Sequence, residues 1–236
     1  MSGIKPQFTC PRPNVLAEPS PSDIVWHNAS VGRSDRERLL GQRGVVVWLT
    51  GLSGSGKSTI ANHLDVCLHR EGRMTVLLDG DNIRHGLCAP PAKLRDEFDG
   101  AFAGRFGLGF GVDDRTENIR RVGHLASLFA GAGIITLTAF VSPLIEDRNR
   151  VRRIVEQSSS GSFIEVFVDT PIEVCETRDP KGLYAKARAG EIKDFTGVSS
   201  PYEPPIEPEI HLPGGDITVD EAATRIKSHL QAAGIV

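Results

Sequence analysis

Residues 51–58 read Gly51-Leu52-Ser53-Gly54-Ser55-Gly56-Lys57-Ser58, and no other stretch constrains the fold as strongly. The octet satisfies the Walker A pattern, and its flanks supply the context that pattern needs. Val45-Val46-Val47-Trp48-Leu49-Thr50 before it reads as a buried strand, and Thr59-Ile60-Ala61-Asn62-His63-Leu64 after it as a helix. A strand, a glycine loop and a helix N-terminus together form a phosphate cradle, because backbone N–H groups and the helix dipole converge on an anion. In such a cradle Lys57 reaches the β- and γ-phosphates and the Ser58 hydroxyl serves a Mg²⁺ ion. A chance glycine-rich turn would lack the strand and helix.

The rest of the chain reads as one α/β unit. After a short helix at 33–41, strands are predicted at 45–50, 74–79, 134–141, 163–169 and 209–212. Helices are predicted at 57–70, 114–131, 146–157, 171–177 and 219–233. This alternation predicts a three-layer P-loop fold: a mostly parallel sheet, helices on both faces and a mobile lid. Residues 1–23, with Pro6, Pro11, Pro13, Pro19 and Pro21 among polar residues, read as a flexible tail ahead of a domain at 24–236. Two stretches break the rhythm, 88–107 and 178–208. Long connections of this kind in a compact fold are lids or disordered segments.

Composition narrows the partners. The 236 residues carry a net charge of −3 with no basic run, against a general nucleic-acid or membrane-surface binder. No apolar stretch is long enough to span a bilayer. The first residues lack the apolar core of a signal peptide, so the cytoplasm is the expected location. Cys10, Cys67, Cys88 and Cys175 lie far apart and fit neither a zinc site nor a disulfide framework. Cys67 and Cys175 are expected as small buried residues of helices. The seven histidines show no ligand spacing.

Opposite the phosphate loop, the strand at 74–79 ends in Leu78-Asp79-Gly80-Asp81-Asn82. Asp79 and Asp81 can position Mg²⁺ or orient an attacking hydroxyl, or can simply shape an Asx-Gly turn. Arg84 follows, and then Asp114-Arg115-Thr116-Glu117-Asn118-Ile119-Arg120-Arg121. There Arg115, Asn118 and Arg121 or Val122 recur on one helical face. Guanidinium and amide groups so placed suit an anionic acceptor, and equally a salt-bridged helix start. Spacing alone leaves both pairs of readings open.

The ordered set of motifs resembles the adenylylsulfate kinase (APS kinase) family. The resemblance rests on Trp48-Leu49-Thr50 with the octet and Thr59, on Leu78-Asp79-Gly80-Asp81-Asn82-Ile83-Arg84-His85-Gly86-Leu87, and on Asp114-Arg115-Thr116-Glu117-Asn118-Ile119-Arg120-Arg121-Val122-Gly123. Phe140-Val141-Ser142-Pro143, Arg178-Asp179-Pro180-Lys181-Gly182-Leu183-Tyr184 and Phe195-Thr196-Gly197 continue it, and Trp26-His27 resembles the family's lead-in. It runs in order over residues 24–212.

The resemblance implies transfer of the γ-phosphoryl of MgATP to the 3′-hydroxyl of adenosine 5′-phosphosulfate (APS), giving PAPS and ADP. It implies ATP contacts from Gly51 to Thr59 and at Arg178. It implies APS contacts at Asp81, Arg84, Phe110, Arg115, Asn118, Val141, Lys181 and Phe195, with Phe110 and Phe195 sandwiching the adenine. Lys57, Asp81 and Ser142 are the implied catalytic residues, and Ser58 and Asp81 the implied metal contacts. Ser142 matches a serine described in the family as a phosphoserine, although in-line phosphoryl transfer works by positioning and charge stabilisation without a covalent step. A homodimer is implied, and association with an ATP sulfurylase is left open.

Several positions depart from the family pattern. Residues 88–107 separate Leu87 from Leu108 where the family has a short connection, and form a surface flap, an oligomer contact or a tolerated loop. Asp194 stands where a glycine is usual before Phe195, Ser199 where an aspartate is common, and Leu144-Ile145 where the pair is more polar. Two other functions compete with the APS kinase reading. A P-loop kinase for another hydroxyl acceptor would differ in its acceptor range. A non-catalytic nucleotide sensor would bind PAPS without releasing ADP, and the intact Lys57, Ser58, Asp79 and Asp81 argue against it.

Overall fold

The computed structural model describes residues 25, 27, 29–157, 159–215 and 217–236. The tail expected at 1–23 and Trp26 of the lead-in lie outside the described residues. The chain divides into two compact units, Met1–Gly32 and Arg33–Val236. The described residues of the first carry neither helix nor strand, and every element below belongs to the second.

In chain order these elements are α1 (Arg33–Leu40), β1 (Val45–Thr50), α2 (Lys57–Arg70), β2 (Thr75–Asp79), α3 (Gly80–Ile83), α4 (Pro91–Leu94), α5 (Gly100–Phe106), α6 (Val112–Gly131), β3 (Ile135–Ala139), α7 (Ile145–Glu156), β4 (Phe163–Asp169), α8 (Ile172–Arg178), α9 (Leu183–Arg188), β5 (Ile210–Pro213) and α10 (Val219–Ala232). The five strands form one sheet in the order β2-β3-β1-β4-β5, with every pairing parallel.

The sheet is apolar on both faces, as a parallel sheet between helices must be. Successive side chains of β1 alternate between two cores. Val45, Val47 and Leu49 pack with Leu64 and Leu68 of α2 and with Ile226 and Leu230 of α10. Val46 and Trp48 pack with Val122 and Ala126 of α6, Val151 of α7 and Phe163. Gly123 lets α6 and α7 approach closely, because a Cβ there would lie 2.8 Å from Val151 Cγ2.

Parallel register places the ends of β1, β2 and β3 along one edge, with Leu49 beside Ala139 and Ala139 beside Asp79. That edge, beyond the strand C-termini, is where ligands bind in open α/β sheets. The predicted elements are all present, with shifted ends. The strand expected to run to residue 141 stops at Ala139, because the chain leaves the sheet and turns at Ser142, whose φ is +37°. The helix expected from 114 starts at Val112. Cys175 is buried, and Cys67 only partly so.

The segment at 88–107 is folded. It carries α4 and α5, and Cys88, Ala89 and Ala103 are buried. Its ends are tied together where Leu108 N donates to Ala89 O at 3.0 Å. Phe98 stacks on Phe102 with ring centroids 4.2 Å apart, and Phe102 meets Phe106 at a tilt of 47° with centroids 4.6 Å apart. Its elements are too short for a helical period to stand out in the sequence.

Candidate active site

The turn after β1 builds the donor side. Gly51 adopts φ +146°, and a Cβ there would lie 2.5 Å from Val168 O, so only glycine fits. Gly56, at φ +103°, caps α2. The buried Lys57 ammonium donates to Gly51 O at 2.9 Å, Leu52 O at 2.7 Å and Ser55 Oγ at 3.3 Å. Burial pushes its pKa down to about 8, opposed by the negative groups around it, Asp79 and Asp81 among them. Around this loop lies a cleft of about 770 Å³, lined by residues 53–60, Asp79, Asp81, Arg178, Lys181, Gly214 and Gly215. None of residues 88–107 lines it.

Asp79 makes the turn contact and also reaches the phosphate loop. One carboxylate oxygen accepts from Asp81 N at 3.0 Å and caps α3. The other accepts from Ser58 Oγ at 2.6 Å. Asp81, the carboxylate expected beside the metal with Ser58, lines the same cleft and pairs with Lys181 of the 178–208 segment. A hydroxyl next to a carboxylate is a hard-oxygen donor set that suits Mg²⁺ completed by water and phosphate oxygens. The chain therefore fits the ion through Ser58 and Asp79.

Residues 178–208 carry α9 and lean on the phosphate loop. Tyr184 OH donates to Ser53 O at 2.9 Å and Arg178 Nη1 to Gly54 O at 3.4 Å. Phe195 meets Tyr184 edge-on with centroids 5.0 Å apart.

On the acceptor side, Arg84 Nη1 donates to Gly109 O at 2.9 Å, and its guanidinium lies 4.2 Å above the centre of the exposed Phe110 ring. Burial lowers the Arg84 pKa; Cys88, Asp114 and Asp81 oppose that shift and Arg115 adds to it, so these groups share one electrostatic neighbourhood. Arg115 donates to Thr196 Oγ1 at 2.9 Å and to Ser200 Oγ at 3.4 Å. Asn118 is 4% exposed, and its Nδ2 has no hydrogen-bond partner. A buried amide without a partner is costly in a native fold and calls for an explanation such as a bound water, an ion or a ligand.

The helix-face expectation divides. Arg115 pairs with hydroxyls of the 178–208 segment, and Asn118 is buried with its Nδ2 unpaired. Arg121 turns away to Glu117 at 2.9 Å and to Leu87 O at 3.1 Å, and Val122 is core. Glu117 is a salt-bridged helix-start residue, its pKa held down at about 2 mainly by its hydrogen bond from Arg120. Among the described residues no ring contact joins Phe110 to Phe195. Val141 O accepts from Thr50 Oγ1 at 2.8 Å. Ser142 is buried, and its Oγ accepts from Trp48 Nε1 at 3.1 Å and donates to Thr50 Oγ1 at 2.9 Å. Sequence reasoning did not single out Thr196, Ser200, Tyr202 or Arg148: the first three meet Arg115 and Thr50 across the fold, and Arg148 joins Ser142, Glu165 and Glu203 from three segments.

The family profile described as adenylylsulphate kinase matches residues 43–97 and 103–213. The chain belongs to the adenylylsulphate kinase family. Within 88–107, only residues 98–102 fall outside the family match, at the start of the phenylalanine stack. The adenylyl-sulfate kinase of Rhodopirellula baltica is 59% identical over 216 residues, covering 91% of this chain and 87% of that one. That of Marinobacter nauticus is 52% identical over 215 residues, covering 91% and 98%. The solved APS kinase of Mycobacterium tuberculosis, in complex with AMPPNP and APS, is 45% identical with a TM-score of 0.69, covering 80% of this chain and 99% of that one. No helix among the described residues is long and apolar enough to cross a membrane.

Proposed function

We propose that this adenylylsulphate kinase transfers the γ-phosphoryl of MgATP to the 3′-hydroxyl of APS, releasing PAPS and ADP. The observation that carries the reading is the unpartnered buried Nδ2 of Asn118 beside Arg115, on the acceptor side of an intact phosphate loop. ATP would lie along residues 51–59, its phosphates drawing Lys57 from the loop carbonyls, with Arg178 beside the base. Mg²⁺ held by Ser58 and Asp79 would neutralise charge between the β- and γ-phosphates. Arg84, Arg115, Asn118 and Lys181 would bind the phosphosulfate and ribose, and Phe110 and Phe195 the adenine, with Val141 offering its backbone. Asp81, released from Lys181, would orient the 3′-hydroxyl.

Direct in-line transfer is the proposed route. The Ser142 hydroxyl is already committed to Trp48 and Thr50, which supports an architectural role. Ser142→Ala with turnover retained agrees with it, and loss of nearly all turnover with intact binding supports a covalent step instead. The same reading places the enzyme in the cytoplasm, where ATP is abundant, as a homodimer. Sedimentation velocity tests the dimer, and co-purification tests contact with an ATP sulfurylase. ADP release with MgATP and APS, set against Lys57→Ala and against other hydroxyl acceptors, tests the activity and its acceptor.

A further inference from the structure

Arg148, on the first turns of α7, is buried, with its side chain 2% exposed. Its guanidinium spends its donors on three separate segments. Nε donates to Glu165 Oε1 of β4 at 2.7 Å. Nη1 donates to Ser142 O at 2.7 Å, in the strap that follows β3. Nη2 donates to Glu203 O at 2.7 Å, where the 178–208 segment returns to the fold.

The strap and the returning chain are joined twice more. Glu203 N donates to Pro143 O at 2.9 Å, and the Glu203 carboxylate accepts from Ile145 N at 2.7 Å. Tyr202 lies under the guanidinium at 5.8 Å, and its hydroxyl meets Thr50 Oγ1 at 3.0 Å. The same Thr50 hydroxyl donates to Val141 O. Beyond Tyr202, the chain at 197–204 faces a cavity of about 600 Å³ bordered by Leu52, Phe167 and Thr170. On that side Tyr202 stacks on Phe167 with centroids 5.9 Å apart and Gly197 lies against Leu52 and Ile172, so the hydrogen bonds to Arg148 and Thr50 add polar register to a loosely packed segment.

The geometry points to Arg148 as a positioning residue of the acceptor site. One planar fork holds the exit of the lid in register with the strap 141–143. The fork also holds Ser142 in its left-handed conformation, which a non-glycine residue adopts only when its surroundings over-determine it. Two acceptor-side groups depend on this register: the Val141 backbone, one residue before the held carbonyl, and Phe195–Ser200 on the returning lid, which includes the Arg115 partners Thr196 and Ser200. Donor-side contacts of the lid, at Arg178 and Tyr184, come from its other end, with the Tyr184 ring edge-on to Phe195 linking the two sides. Arg148 therefore acts on acceptor binding and leaves ATP binding nearly untouched. The inference rests on the proposed use of this side for APS.

The test uses Arg148→Lys and Tyr202→Phe in the full chain. Lysine keeps a cation for Glu165 but cannot reach three acceptors in one plane. Tyr202→Phe removes only the hydroxyl and leaves the ring, so it remains informative if the lysine variant fails to fold. The expected result for Arg148→Lys is a KM for APS raised about tenfold and a KM for ATP within about twofold of wild type, the split expected of misplaced acceptor contacts. Trypsin should cleave faster at Lys181, Lys186, Arg188 or Lys193, with saturating APS slowing the cut. Tyr202→Phe should move both readouts the same way by less. An unchanged KM for APS with wild-type proteolysis in either folded variant overturns the inference, as does an equal rise in both KM values. Wild-type enzyme that releases no ADP with APS contradicts the functional reading instead, and proteolysis still reports on the clamp.

Discussion

Ser58 Oγ donates to Asp79 Oδ2 at 2.6 Å, joining the last residue of the phosphate-loop motif to the last residue of β2. Parallel pairing of β2 to β3 and of β3 to β1 carries Asp79 to that edge. The other Asp79 oxygen caps α3.

Asp79→Asn separates these duties. Asparagine caps a helix as well as aspartate does, so the fold should hold. The charge beside Ser58 is lost. Initial rates titrated with Mg²⁺ should show an activity or apparent metal affinity lowered by about 10- to 100-fold, with an unchanged melting temperature. Wild-type Mg²⁺ dependence would remove Asp79 from the metal's surroundings.

Lys57 carries a pKa of about 8 because burial disfavours its charge. At pH 8 much of the free enzyme holds a neutral amine, and a triphosphate favours the ammonium. Binding of the ATP analogue should then take up protons near pH 8 and progressively fewer as the pH falls toward 6, where Lys57 is already charged. Affinity should weaken as the pH rises above 8. Calorimetry in two buffers of different ionisation enthalpy reads the uptake; no buffer dependence at pH 8, or proton release, contradicts the assignment.

If Asn118 binds APS as proposed, it exchanges stability for binding. An unsatisfied buried amide costs about 1–3 kcal/mol. Asn118→Leu should therefore raise the melting temperature of the unliganded protein and raise the KM for APS. A variant that is less stable and binds APS normally would make Asn118 a structural residue.

Gly123 sets the distance between α6 and α7. Gly123→Ala places a methyl 2.8 Å from the stiff Val151 side chain, an overpacking cost of about 1–3 kcal/mol. A domain of this size should lose about 2–4 °C of melting temperature per kcal/mol. No loss would mean the helices part freely.

Much of this was legible in the sequence because its signals are local. The β1 valines, the glycine loop and Lys57 lie within residues 45–58, and their order forces strand, turn and helix. The strand-to-helix alternation likewise gave the parallel sheet. The proposed acceptor side came from family resemblance, because its parts meet through the fold: Arg115 meets Thr196, and Asp81 meets Lys181. The charges at 114–121 could not be sorted from spacing. Burial separates Asn118 from Glu117, which sits in salt bridges with Arg120 and Arg121. The clamp at Arg148 left no sequence signal, since its three partners, Glu165, Ser142 and Glu203, come from three separate segments.

The central claim is that the phosphate loop and the Arg115–Asn118 face act on one pair of substrates. A coupled assay of ADP release with MgATP, with and without APS, addresses it most directly. The account predicts APS-dependent release that vanishes in Lys57→Ala and accumulates PAPS in equal amount. ADP release indifferent to APS, or intact APS after prolonged incubation with active-site-saturating MgATP, would contradict it.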